Sequence, residues 1–197
     1  MNVLLPTVTS ARSGSRSEHQ VPRSGDERPS FDTAITTIAT MLDPNEGRLS
    51  ENEVRQLQHL SLDHPESPVL QSILASLHLT QAPSWIQPDR WHRQWAVLLK
   101  GMAICAGLHE ASVSVGEALA RAEWPNDRFT RMMEAGPDEI VTYVEWAARH
   151  LAEAEQPVNW NDMRRLMFKS GEHARQFRVR VANDFFRTSY ALRRKRL

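Results

Sequence analysis

The side chains with the clearest chemical potential are the arginines of the C-terminal third. From residue 164 onward the chain carries eleven Lys and Arg against two acids, Glu172 and Asp184. Arg164 and Arg165 sit beside an apolar Met163/Leu166/Met167 face. Arg175, Arg178 and Arg180 alternate with a later apolar stripe, Arg187 lies further along, and Arg193-Arg194-Lys195-Arg196 closes the run. A guanidinium is planar, stays charged and offers paired N–H donors that match two phosphate oxygens. Such contacts position a nucleic-acid backbone without reading its bases, and counterion release makes them salt-dependent. Two other uses compete: cations near a helix C-terminus complement its dipole, and a terminal basic cluster is often simply solvated.

Catalytic and metal chemistry find little support. There is no GxGxxG or Walker loop, no HExxH and no GxSxG elbow. The eight histidines are scattered, and His59 and His64, with Asp63 between them, have a poor ligand spacing across a helix end. Glu153 and Glu155 are two residues apart, which on a helix does not bring them face to face. The single cysteine, Cys105, excludes an intramolecular disulfide and sits in the apolar run LLKGMAICAG, as a buried core residue would. The expectation is a binding protein with no cofactor and no metal, not an enzyme.

The charge is unevenly distributed although it sums to zero. Residues 31–163 hold nine bases against nineteen acids, so the basic surplus belongs to the last 34 residues. That asymmetry points to a polyanion as partner, or to mutual neutralisation of the two regions within the fold. No apolar run approaches the ~20 residues needed to cross a bilayer. The first residues, MNVLLPTVTS, lack the charged start and long apolar core of a secretory signal, so a cytoplasmic protein is the default.

The elements that must position these arginines read as helices throughout. Eight glycines and the lack of alternating valine- or isoleucine-rich runs argue against a sheet. Residues 1–30, rich in Ser, Arg, Gly and Pro, read as a disordered leader. A helix follows from Phe31 to Met41, capped by Ser30 or Asp32. A second starts at Ser50 with a Ser50/Glu53 capping box, and a third runs from about Ser67 to Leu79. From Pro88 to Leu108, Trp91, Trp95, Leu98, Leu99, Met102 and Cys105 mark a central core helix, while Arg90, Arg93 and Lys100 point elsewhere. The two tryptophans are expected as core anchors. Short helices follow in VSVGEALARAEW and NDRFTRMMEA, then a long one over 138–154, one beginning near Trp160, and a last one from about Glu172 to Arg194. Phe177, Val181, Phe185 and Leu192, helped by Ala174 and Tyr190, form the expected buried stripe of the last helix. The fold class is all-α, as two small helical bundle domains over 31–110 and 111–197 behind the leader.

The order of several segments is not generic. WAVLLKGMAICAG, VSVGEALA, NDRF, PVNWNDMRRLMFKSGE and NDFFRTSY, spread from Trp91 to Tyr190, together resemble the CasB family, the small subunit of the type I-E CRISPR surveillance complex Cascade. The resemblance implies a helical, two-domain, non-catalytic subunit present as two copies set head to tail beside the guide RNA. There they help to hold the target strand on the guide and the displaced strand apart. The guide supplies sequence specificity by base pairing, so backbone-binding arginines suffice. By position, Arg93 and Lys100 match basic residues flanking the LL motif, Arg128 the arginine after the acidic cap, and Arg149 one on the long helix. Arg165 matches the base after the D-W motif, and Arg175 lies near the base after W-G. Glu134 and Pro137 stand where the family has arginines, Asn159 replaces an Asp, and Lys169-Ser170 replaces an aromatic pair. Arg131 or Arg164 would compensate.

The expected nucleic-acid contacts are therefore Arg93, Lys100, Arg128, Arg131, Arg149, Arg164, Arg165, Arg175 and Arg178. Guide RNA, target DNA, other Cascade subunits and a second copy are the expected partners, and no membrane. The alternatives are a helix-turn-helix-like regulator whose basic helix enters a DNA groove, and a protein-interaction adaptor with an incidental basic tail.

Overall fold

The computed structural model describes residues 30–63 and 65–195. Among them are nine α-helices and no strand: α1 (Phe31–Met41), α2 (Glu51–Gln58), α3 (Pro68–Ser76), α4 (Pro88–Ile104), α5 (Val115–Arg121), α6 (Asn126–Glu134), α7 (Ile140–Glu153), α8 (Trp160–Phe168) and α9 (Gly171–Lys195). The leader reading and the His59/His64 pair fall wholly or partly outside the described residues. No described helix is long and apolar enough to cross a membrane.

Local chemistry sets the helix starts. Ser30 Oγ accepts from the Thr33 amide at 3.1 Å. At α2 the Ser50 amide donates to Glu53 Oε2 at 2.8 Å and the Glu53 amide to Ser50 Oγ at 3.4 Å, the reciprocal capping box. Pro68 and Pro88 occupy the first turns of α3 and α4, where a missing N–H costs nothing. Asn159 caps α8 by accepting from the Asn161 amide. Gly107, in the left-handed region at φ 79°, turns the chain out of α4.

Helix α4 is the centre, packed against α2, α7 and α8. Trp91 and Trp95 are fully buried and meet edge to face, with ring centroids 5.7 Å apart. Phe31 of α1 and Phe168 at the end of α8 close the same aromatic cluster, and the Trp91 indole N–H donates to the Leu79 carbonyl at 2.7 Å. Trp160 crosses α4 at Gly101, where a Cβ would stand 2.6 Å from its Cη2. Cys105 is buried as expected. Its Sγ lies 3.1 Å from the Ala148 carbonyl oxygen, and burial pushes the thiol pKa up to about 12.

Helix α9 lies along α5, and the two backbones approach at Gly116, against the Val181 carbonyl and the Phe185 amide. The buried line of α9 is Phe177, Val181 and Phe185, with Ala174 and Leu192 half-buried beside it. Tyr190 departs from the expected stripe: its exposure is 65 %. It follows Phe185 by five residues, a rotation of roughly 140° from the buried line.

Candidate nucleic-acid interface

Three of the nine expected contact residues stand on the surfaces of α6 and α9. Arg128 and Arg131 are exposed on α6, and the Arg128 guanidinium lies over the Trp124 ring at 5.9 Å. On α9 the Arg175 side chain is 81 % exposed and only loosely paired, 3.9 Å from the exposed Glu172 carboxylate. Charges this well solvated attract one another weakly, which leaves the guanidinium available to a stronger anion.

Arg178 joins the two helices. Its terminal nitrogens donate to the Met133 and Ala135 carbonyls, each at 2.9 Å. These are carbonyls at the end of α6 with no helical partner, so the half-buried guanidinium caps α6 and complements its dipole. Burial lowers the Arg178 pKa, though a guanidinium stays charged. Beside this joint is a groove of about 650 Å³, lined by Arg90, Lys169, Arg175 and Arg178, by the acidic Glu134, and by mostly apolar residues between them. Arg90 and Lys169 were not among the expected residues. No local spacing links Arg90 on α4 to Arg175 on α9, and only the packing brings them together.

Arg164 and Arg165 are brought together on one carboxylate. Arg164 donates to Asp32 Oδ1 at 2.7 Å and Arg165 to Asp32 Oδ2 at 2.9 Å, so two guanidinium groups tie α8 to α1. Arg164 also lies 5.2 Å from the Phe31 ring, and its side chain is 11 % exposed. Burial lowers its pKa and Asp32 opposes that shift. Arg165 reaches Asp162 Oδ1 as well, at 3.2 Å. Burial raises the Asp162 pKa, against the pull of Arg165 and Arg180.

The remaining expected residues lie apart. Lys100, read from the sequence as pointing away from the core, is instead buried. Its Nζ donates to the Leu60 carbonyl at 2.9 Å and lies 2.9 Å from Glu145 Oε1. The four-carbon stem reaches across the α4 packing surface, so a charged residue occupies a core position once its head is paired. Arg149 shares Glu145, at 2.9 Å, from the solvent side. Burial raises the Glu145 pKa, but hydrogen bonds and charges from Lys100 and Arg149 outweigh it and the net shift is downward. Arg93 is half-buried in a cleft with Asp63, Glu66 and Asp89, an acidic setting that repels phosphate. Among the described residues no cluster of His, Cys, Asp and Glu has the makings of a metal site.

An all-helical body with cationic side chains distributed over α6 and α9 has the chemistry to hold a polyanion. Comparison with known proteins agrees with the order of the sequence segments. The model of the family described as CRISPR-associated protein Cse2 matches residues 53–186. A chain in the crystal structure of E. coli Cascade bound to a PAM-containing dsDNA target has the same fold. It shares 18 % identity at a TM-score of 0.56, over 84 % of this chain and 99 % of that one. No curated protein matches. The family match spans more than half of the sequence, from α2 into α9, and on that ground the chain belongs to the CRISPR-associated Cse2 family, the CasB proteins.

Proposed function

We propose that this protein is the small, non-catalytic subunit of a type I-E Cascade complex in the cytoplasm. Its role there is to bind nucleic-acid backbone, stabilising the guide RNA–target DNA hybrid and the displaced strand during antiviral defence. The observation that carries the reading is the family match over residues 53–186. The exposed arginines of α6 and α9 supply a matching chemistry, since a subunit whose specificity is delegated to a guide needs only sequence-blind phosphate contacts. Arg128, Arg131 and Arg175 make those contacts. Arg164, Arg165 and Arg178 fix the helices that carry them, and Lys100 serves the interior. The partners are the other Cascade subunits, a second copy of this chain, the guide RNA and the target DNA, with no cofactor.

The test is a tagged purification from the native host, followed by sequencing of bound RNA and mass spectrometry of bound proteins. A single class of CRISPR-derived guide RNA with several partner subunits is the expected result. Recovery of the chain without guide RNA, together with protection of one DNA sequence by the isolated protein, would replace this reading with that of a free-standing regulator. In the assembled complex, replacing Arg128 and Arg175 by Ala should weaken target binding. It should also reduce the slope of log K against log salt by about one per contact. Unchanged binding at low and high salt would remove these contacts.

A further inference from the structure

Helix α9 has a second face that the described residues leave uncovered. Arg175, Val179, Phe186, Tyr190 and Arg193 all fall within a sector of roughly 60° around the helix, turned about 100° from the buried Phe185 line. Val179, Phe186 and Tyr190 are 55 %, 49 % and 65 % exposed, which makes them three of the few large apolar side chains the described fold exposes. The two ends of this sector are cationic: Arg175 is exposed at one and Arg193 at the other, with Arg194 beside it.

The Phe186 ring is braced. It stands edge-on to Phe129 at 5.8 Å and to Phe185 at 5.3 Å, while Phe129 and Phe185 stack nearly parallel at 3.8 Å. A ring held on two sides and bare on the third is a preorganised flat surface, and little side-chain entropy is lost when something covers it. Tyr190 follows one turn later, about 6 Å along the axis. A planar group between two rings needs roughly 7 Å, twice a carbon van der Waals separation, so a small splay of the tyrosine admits one.

We propose that this face is a base-stacking platform for unpaired DNA, on which bases lie against Phe186 and Tyr190 while flanking phosphates meet Arg175, Arg193 and Arg194. Aromatic rings interleaved with arginines along one track are what sequence-tolerant single-strand binding requires. A duplex would leave the rings without partners, because its bases face inward. An apolar helix from another protein would meet cations at both ends of the track and a single aliphatic side chain, Val179, between Arg175 and the rings. The inference rests on the role proposed above, in which the guide is paired and the displaced DNA strand is the unpaired one.

The experiment uses the full chain and two fluorescent strands of equal length, an oligothymidylate and an abasic backbone, titrated by anisotropy over a range of salt. Phe186→Leu/Tyr190→Leu keeps apolar surface but removes the rings, and Tyr190→Phe keeps the ring. The double variant should bind oligothymidylate about tenfold more weakly with an unchanged salt slope. It should bind the abasic strand as the wild type does, and Tyr190→Phe should behave as wild type on both. Wild-type affinity of the double variant for oligothymidylate overturns the platform. An equal loss on both strands also overturns it, because the rings would then support the fold and not the bases. A wild-type chain that binds the abasic strand well and oligothymidylate no better defeats stacking alone. If the wild type binds neither strand at low salt, the phosphate-binding role falls and the platform with it.

Discussion

Lys100 Nζ lies 2.9 Å from Glu145 Oε1, and the pair joins α4 to α7 with the lysine side chain 10 % exposed and the carboxylate 19 % exposed. Removing Glu145 leaves the enclosed Lys100 charge with only the Leu60 carbonyl, whereas removing Lys100 leaves Glu145 still paired with Arg149. Glu145→Gln should therefore destabilise the protein by about 3 kcal/mol, read from the midpoint of urea unfolding at constant m-value. Lys100→Met, which removes the charge and keeps the stem, should cost less. Equal losses would show that the charge pairing is not what matters.

Asp32 serves two arginines at once, so Asp32→Asn should loosen α1 from α8. The carboxylate is half-exposed, which limits the loss to about 1–2 kcal/mol. Amide exchange should speed up in α1 first. Nucleic-acid affinity at low salt should hold or rise, because Arg164 loses its internal anion and Arg165 keeps only Asp162. A fall in affinity at unchanged stability would mean that Asp32 positions the arginines for binding.

Gly116→Ala gives a clear choice of sign. On an open helix surface the change would stabilise by about 1 kcal/mol through propensity. Here the new methyl group meets the Val181 carbonyl and the Phe185 amide of α9, backbone atoms that cannot rotate away. The variant should lose about 3 kcal/mol or more, seen as a lower Tm. A raised Tm would disprove the close approach of α5 and α9.

Cys105 should resist alkylation in the native protein at pH 8 and react once the chain is unfolded, as followed by intact mass. The thiol ordinarily titrates near 9 and in the fold only near about 12. Between those values the unfolded chain has lost the proton that the native chain keeps. The Cys105 contribution to stability is therefore complete below pH 9 and declines as pH rises toward 12. Cys105→Ala should have a shallower alkaline loss of stability than the wild type across that window. Parallel alkaline limbs would refute the shift.

What was legible in the sequence was mostly what is local. The Ser50/Glu53 box, the core positions of Trp91 and Trp95, and the Phe177/Val181/Phe185 line all follow from spacings within a few residues, and each is found. The candidate site depended on distance. Nothing near Arg164 announces Asp32, 132 residues away, and nothing near Arg178 announces the carbonyls of Met133 and Ala135. An arginine looks the same in a sequence whether its fork caps a helix or faces solvent, so the count of basic residues overstated how many are free. Lys100 departs from its sequence pattern for a related reason: a long stem lets a charged head cross the core when a carboxylate waits on the other side.

The 25 residues of α9 form one uninterrupted rod, gripped by α5 near Val181 and Phe185. Arg175 and Arg193 sit on either side of that grip, about 27 Å apart at 1.5 Å per residue. In a duplex that span would hold about eight steps at 3.4 Å each, and an unpaired strand opened to admit the rings covers it in fewer. The helix is thus a ruler as well as a surface. A polyanion lying along it is gauged by length, and an insertion of one residue between the grip and either end would rotate that end's arginine by about 100°, out of line with its counterpart.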